Sequence, residues 1–359
     1  MKNHSICVFI PCLLIIGCLV TGSLIGCSGT PSPENSTPSN IELRDFTDST
    51  GRTVSVPRNI TKVAVTGPLS QIAVFAICPD MLVGVCEEWP KEAVPFIDEH
   101  YLTLPCIGQL YGGKADFNRE TLLMASPDVV IDIGESKGSI AEDFDSLTNQ
   151  TGIPFIHIDS SLESMDEAYR MLGDLINRPD EAKILSAYCK DTYEQISDIA
   201  SSVKKVRAVY IPSSNPLRII AKESFQADSI NLLCDNVMVS DTHLSQGTGN
   251  ETDVEELIKL NPEVMILAPN LLNDTAFFDK LSNVDAVKNN RCYEVPAVPY
   301  NWLGFPASFQ RYLGIRWLAY TLYPSNCDFD MYAETQKFFS LFLHHELTEA
   351  EYSNIVKCE

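Results

Sequence analysis

Two stretches of the chain carry the same pattern of apolar and polar positions, Glu120-Thr-Leu-Leu-Met-Ala-Ser-Pro127-Asp-Val-Val-Ile131 and Glu255-Glu-Leu-Ile-Lys-Leu-Asn-Pro262-Glu-Val-Met-Ile266. In each, a glutamate opens a short amphipathic helix, a proline ends it, and an acidic residue leads into an apolar run of strand length. That is the helix-to-strand unit of a parallel sheet. Its recurrence on either side of a long helical stretch predicts a bilobal α/β protein, with a chance recurrence inside one large α/β domain as the alternative.

The elements around these units follow from the same patterning. Residues Ile41–Pro57 alternate in character around Ser49-Thr-Gly51, as a β-hairpin does. Strands over Lys62–Val65, Leu82–Val85, Val129–Ile133 and Phe155–Ile158 complete an N-terminal lobe, residues 41–161. Residues 162–203 form a helical connector, broken at Asn177-Arg-Pro179. Beyond the break Ala182, Leu185, Tyr188, Cys189, Thr192, Ile196, Ile199 and Val203 recur every three or four positions. Pro179 suits a first helical turn. At 1.5 Å per residue this second helix is roughly 35 Å long, enough for a rigid spine across both lobes. The C-terminal lobe, residues 204–359, has strands over Ala208–Ile211, Arg218–Ile220, Val264–Leu267 and Cys292–Val295, then helices over Ser308–Tyr323 and Tyr332–Phe342.

Ahead of the lobes stand Lys2, an apolar run from Ile6 to Val20 interrupted by Pro11, and Leu24-Ile25-Gly26-Cys27. This reads as a lipoprotein signal peptide, residues 1–26, because the run is short for a membrane span and small residues lead to a cysteine whose thiol can be acylated. Ile16-Gly17-Cys18 is a weaker second box. Residues 27–40, rich in Ser, Thr and Pro, have almost nothing to bury and are expected to form a disordered tether. Two acyl chains on Cys27 would hold the body on the outer face of the cell membrane.

Composition narrows the function. A formal charge of -22 argues against nucleic acid and against an anionic lipid surface, since phosphate neutralisation needs clustered Lys and Arg. Of twelve cysteines, Cys7, Cys12 and Cys18 fall in the signal and Cys27 is the lipid site, and the others contain no CxxC. Cys78 with Cys86 or Cys106 is the candidate disulfide, with buried free thiols as the equal alternative. Sequons at Asn35, Asn59, Asn149, Asn250 and Asn273 fit an outward-facing chain. The histidines, His4, His100, His157, His243, His344 and His345, make no ligand-spaced pair near a cleft loop, so no protein-built metal site is expected. The chain lacks Gly-x-Gly-x-x-Gly, Gly-x-x-x-x-Gly-Lys-Ser/Thr, Gly-x-Ser-x-Gly and His-Glu-x-x-His. No intrinsic cofactor and no enzyme is therefore expected, a cell-surface enzyme on the same lobes being the reading from another class.

Several markers share one order: Phe46-Thr-Asp-Ser-Thr-Gly-Arg-Thr-Val-Ser-Val-Pro57, Pro105-Cys-Ile-Gly108, the two Glu-x6-Pro phrases, Pro299-Tyr-Asn-Trp-Leu-Gly-Phe-Pro306, Leu313-Gly-Ile-Arg-Trp-Leu318 and Leu322-Tyr-Pro324. In that order they resemble the substrate-binding lipoproteins of ABC importers for iron-siderophore complexes, haem and cobalamin, over nearly all of the mature chain. The resemblance implies two Rossmann-like lobes with central, mainly parallel sheets, joined by one long rigid α-helix. It also implies a ligand held between the lobes with little hinge motion, in a monomeric receptor that serves an ABC permease and its ATPase. The cargo implied is a chelated metal, first a ferric siderophore, then cobalamin, and behind these haem, chelated nickel or molybdate. Glu120 and Glu255 match the family's permease-docking glutamates by motif, which salt-bridge to permease arginines. A carboxylate favoured at any helix start is the plain alternative.

In a two-lobed α/β protein, ligands gather where loops leave the carboxyl ends of strands. The loops in question are Thr66–Ser70, Glu87–Trp89, Gln109–Lys114 and Gly134–Ser136 in the first lobe, and Ser213–Asn215, Lys222–Gln226, His243–Gly249 and Tyr300–Trp302 in the second. Trp89, Tyr111, Tyr300 and Trp302 offer flat amphipathic walls for a chelate, with core or rim packing as the alternative for each. Trp302 stands foremost, since with Asn301 it belongs to a turn that resembles the family's cleft segment, whereas Trp317 is expected in the core. Arg311 offers a planar fork for an anionic chelate, or a brace for a helix.

Overall fold

The computed structural model describes residues 42–111, 116–240, 249–304 and 306–356. The expected signal peptide, the tether with Cys27, and the loop residues 112–114 and 243–248 lie outside them. In the first half, β1 (Leu43–Thr47) and β2 (Thr53–Pro57) form the antiparallel hairpin, with Phe46 opposite Val54. A parallel sheet follows in the order β3-β4-β5, from β3 (Val63–Val65), β4 (Val129–Gly134) and β5 (Phe155–Asp159). Around it run α1 (Pro68–Ile77), α2 (Glu99–Leu102), α3 (Arg119–Ala125) and α4 (Ile140–Thr151). The strand expected over Leu82–Val85 is reduced to two bridges, Val63 to Leu82 and Val85 to Cys106, and between them Ile107 packs over Gly84.

Two helices lead onward, α5 (Met165–Ile176) and α6 (Pro179–Ser202). The second half adds β6 (Val206–Ile211), β7 (Arg218–Ile219), α7 (Asp228–Leu233), β8 (Cys234–Asn236), β9 (Asn250–Glu251), α8 (Val254–Leu260) and β10 (Val264–Leu267). It ends with α9 (Thr275–Lys280), α10 (Asp285–Lys288), β11 (Cys292–Glu294), α11 (Gln310–Leu322), α12 (Met331–Leu343) and α13 (Glu349–Val356). Its parallel sheet runs β11-β10-β6-β8, and β7 and β9 make a small antiparallel pair. The 24-residue α6 begins at Pro179 with two acids in its first turn and buries Ala182, Leu185, Tyr188, Cys189, Thr192, Ile196 and Ile199, the face its periodicity predicts. It packs against α1 and α5 on one side of the molecule and α7 and α11 on the other. The architecture is the expected one, two α/β lobes with parallel sheets joined by a long helix.

The two repeated phrases fold alike in detail. The Asn118 side chain caps α3 by accepting from the amides of Glu120 and Thr121, and Asp253 caps α8 by accepting from Glu256 N at 2.8 Å. Each helix turns only one leucine fully inward, Leu122 and Leu257. Each stops at a left-handed residue, Ser126 at φ 47° and Asn261 at φ 41°, immediately before the proline. The acid after each proline then pins the start of the neighbouring strand. Asp128 Oδ2 accepts from Thr61 N and Lys62 N at 2.7 and 2.9 Å, and Glu263 Oε2 from Arg207 N at 2.8 Å.

Successive residues of the central strands feed opposite layers, which leaves both sheet faces covered. Val129, Ile131 and Ile133 enter one large core and Val130 another; Val264 and Ile266 enter that same large core while Met265 and Leu267 face a third. The large core is shared by the two halves. It runs from Val63 and Phe75 through Leu185 and Cys189 of α6 to Tyr312, Phe338 and Phe342. Tyr312 Oη donates to Leu162 O at 2.7 Å across it.

Candidate functional site

The loops at the carboxyl ends of both sheets are the place to look for a ligand, and in the first half they rest on a buried ionic layer. His157 on β5 has no solvent exposure; its Nδ1 lies 2.7 Å from Asp132 Oδ2 and its Nε2 2.9 Å from Asp159 Oδ1. Burial alone would depress its pKa, but the bond to Asp132, then Asp132's charge and the Asp159 contacts, outweigh it and raise the imidazole above its ordinary value. Thr66, where β3 meets α1, bonds Asp132 from above. The hairpin is stapled to this layer by Arg52, whose Nη2 donates to Asp48 Oδ2 and to Phe155 O, each at 2.6 Å. Burial would raise Asp48, yet hydrogen bonds from Thr50 and Arg52 and the guanidinium charge hold it below the usual carboxylate value.

Gln71 of α1 is buried and clamps the 86–87 turn: Oε1 accepts from Cys86 N at 2.8 Å and Glu87 N at 3.2 Å, and Nε2 donates to Glu87 O at 3.2 Å. Glu87 Oε2 in turn accepts from Gln109 Nε2 at 2.8 Å. From the second half Tyr300 arrives at this turn. Burial pushes its phenol well above the ordinary value, with the charges of Glu87 and then Cys86 adding to the shift. Its hydroxyl has no hydrogen-bond partner among the described residues.

Other buried groups have no hydrogen-bond partner among the described residues. Ser160 Oγ follows β5, Ser213 Oγ follows β6, and Ser308 Oγ precedes α11. Arg311, on the first turn of α11, is fully buried; Nη1 donates to Asp228 Oδ2 at 3.1 Å and the guanidinium lies 5.0 Å from the Phe225 ring centroid. Among the described residues its Nε and Nη2 have no partner. Burial lowers its pKa, and Asp228 only partly compensates. Buried polar groups are nearly always satisfied, so each of these is a place where a further polar atom could be accommodated. Among the described residues the same holds for hydroxyls elsewhere in the chain, at Tyr169 and Thr252.

The aromatic walls are distributed differently from expectation. Trp302 is fully buried, with Nε1 donating to Val298 O at 2.9 Å, and it offers no face to solvent. The reason is a close approach: Trp302 O sits over Gly314 of α11, where an added Cβ would lie 2.0 Å away. Trp89 is likewise core, 5.0 Å from Phe75 between ring centroids and donating Nε1 to Tyr101 O. Trp317 is core as expected. Asn301 spends its Oδ1 on Tyr210 Oη and Leu303 N, which shapes the turn. Tyr111 is half-buried and donates to Asp143 Oδ2 at 3.0 Å, with Lys137 Nζ 4.3 Å from its ring centroid. Two residues that pattern reading missed are Gln71 and Asp228, an amide inside an apolar helix and an acid opening a short one; only their burial and partners distinguish them.

The docking candidates are both exposed in the first turns of α3 and α8. Because each helix leads into the amino end of a parallel strand, its own N-terminus lies at the carboxyl-end side of the sheet, the side of the seam. Cys78, Cys86 and Cys106 are all free, so the disulfide alternative is not realised. Cys86 Sγ donates to Gln71 Oε1 and Cys106 Sγ to Cys86 O. The sequon residue Asn250 is buried in β9 and donates to Ser240 Oγ. No group of three or more His, Cys, Asp or Glu suited to a metal ion occurs among the described residues, and no helix among them is long and apolar enough to cross a membrane.

Residues 107–299 match the family model described as periplasmic binding protein. The high-affinity heme uptake system protein IsdE of Staphylococcus aureus is 25% identical over 218 residues, which cover 57% of this chain and 70% of that protein. Among solved structures, an ABC transporter solute binding protein from Sulfurospirillum deleyianum superposes with a TM-score of 0.79 at 24% identity, over 88% of this chain and 99% of the other. The molybdate periplasmic binding protein MolA of Haemophilus influenzae does so with a TM-score of 0.67 at 17% identity, over 85% and 99%.

Proposed function

The chain belongs to the periplasmic binding protein family, and on that premise we propose that it is the extracytoplasmic solute receptor of an ABC importer whose cargo is an anionic metal chelate, first of all a ferric siderophore. The observation that carries the reading is Arg311. A guanidinium without solvent contact, with Asp228 as its counter-ion and no partner for Nε or Nη2 among the described residues, is costly unless further acceptors complete it. A carboxylate or other planar anion would complete its fork. Tyr300, Ser160 and Ser213 supply hydroxyls for further oxygen atoms of such a ligand, and Tyr111 remains the aromatic with surface still to offer. Nothing is chemically transformed; capture and release are the whole activity.

Haem is the second reading, favoured by the uptake protein to which 57% of the chain aligns; its propionates would use the same guanidinium. Titration of tryptophan fluorescence with ferric siderophores, haem and cobalamin separates the cargoes, because these chromophores quench buried indoles by energy transfer without contact. Molybdate is tested by calorimetry. Micromolar or tighter binding of a siderophore alone supports the first reading, binding of haem alone supports the second, and silence toward all refutes both. Cys27 is proposed as the lipid anchor and Glu120 with Glu255 as the permease-docking pair. Cys27→Ser should release the protein to the aqueous fraction, and Glu120→Ala with Glu255→Ala should spare cargo binding while abolishing uptake.

A further inference from the structure

The offset that maps Glu120 onto Glu255 also maps Leu123 onto Ile258 and Met124 onto Lys259. Leu123, Met124 and Ile258 are solvent-facing at 48%, 77% and 42% exposure, whereas Leu122 and Leu257, one position earlier, are fully buried. A glutamate and the residue three positions on share a helix face. Each half therefore displays the same composite surface, a carboxylate with an aliphatic side chain one turn along. Among the described residues neither Glu120 nor Glu255 is in an ion pair, although the adjacent Glu256 pairs with Lys259. A lone exposed leucine is unremarkable on any protein. The same aliphatic position kept outward beside an unpaired acid on two repeats is a pattern that solvent exposure alone gives no reason for.

We propose that Leu123, Met124 and Ile258 are binding residues for the importer's membrane subunits, which would offer two equivalent sites, each with a cation for the carboxylate and an apolar rim for the aliphatic side chain. The inference rests on the docking role proposed for Glu120 and Glu255 and extends it. The docking role names the occupant, and charge complementarity sets what it must offer: a partner that seats an unpaired carboxylate must supply a cation, and an apolar rim that excludes water makes the ion pair stronger than it is in open solvent. The two sites are unequal. The first lobe presents two apolar side chains to the second lobe's one, so it should contribute more of the affinity.

The test measures binding of the full chain, without added cargo, to the permease–ATPase complex in nanodiscs by biolayer interferometry. Leu123→Ser with Ile258→Ser should weaken binding by about tenfold per lobe, on the order of a hundredfold together, since the sites lie on separate lobes and should add. Met124→Ser alone should weaken it measurably, and Leu272→Ser, at an exposed apolar position on neither helix, should not. All these sites are exposed, so melting curves should match the wild type. If the Glu120→Ala, Glu255→Ala protein binds poorly while the Leu123→Ser, Ile258→Ser protein binds as wild type, the inference is overturned and the docking glutamates stand. If neither pair of changes weakens binding, the docking reading fails and takes the inference with it. Equal weakening by Leu272→Ser would also overturn it, as non-specific adhesion.

Discussion

Replacing Arg311 with methionine separates what the guanidinium does for the fold from what it does for the cargo. Among the described residues it makes one hydrogen bond, Nη1 to Asp228 Oδ2 at 3.1 Å, and one cation–π contact, with Phe225. Asp228's side chain is about a third exposed, so once unpaired it can be hydrated. Methionine fills similar volume without the desolvation cost of a charge, and such replacements are often neutral. Stability should therefore stay within about 1 kcal/mol of wild type. Capture should not. A hydrogen bond to a charged group contributes roughly 1.5–3 kcal/mol, and two nitrogens await partners, so loss of the fork should cost roughly 2–4 kcal/mol, a rise in Kd of about 30- to 1000-fold. Arg311→Lys, which keeps charge but not the planar fork, should fall between. Thermal melts and calorimetric titration with the cargo identified by fluorescence measure the two quantities side by side. An unchanged Kd in the methionine variant would refute cargo contact, and a melt collapsed by more than about 3 kcal/mol at unchanged Kd would show a purely structural arginine.

Three further outcomes follow from the packing. Trp302→Ala empties a fully buried site and strands Val298 O, so it should destabilise by about 3–5 kcal/mol in urea unfolding, and a loss below about 1 kcal/mol would contradict its place in the core. Gly314→Ala sets a Cβ 2.0 Å from Trp302 O, a backbone atom, and should cost about 1–3 kcal/mol while displacing the 300–304 turn; an unchanged unfolding midpoint would show that the approach relaxes freely. Stability should also depend on pH through His157. Its folded pKa is raised above 6.5, so the contribution is complete below the unfolded value and is lost as pH rises through the folded one. Unfolding curves from neutral to alkaline pH should show that slope in the wild type and not in His157→Gln. Asp48, depressed in the fold, has the opposite sign: its contribution is present above 3.8 and lost as pH falls through the folded pKa.

The repeated helix-to-strand phrases and the long helix were legible in the chain because their signals are local. An apolar period of 3.6 over Ala182–Ile199, a proline at a helix start and a proline after a left-handed residue each act within a few positions. The buried strand over Val264–Leu267 falls at the residues its apolar run marks. Leu82–Val85 was equally apolar in pattern, yet tertiary neighbours reduced it to isolated bridges. Strand character there depended on pairing partners distant in sequence, which composition does not encode.

By itself the sequence determined two α/β lobes, the helix that joins them and the matching positions of Glu120 and Glu255, since backbone geometry converts period and punctuation directly into elements. Only the tertiary structure decided which side chains of residues 298–311 turn inward. In an irregular segment no periodicity assigns a face, so the outcome rests on contacts such as Trp302 O against Gly314 and Arg311 against Asp228. Those contacts bury the tryptophan that looked like a wall, and they leave a buried guanidinium short of partners among the described residues.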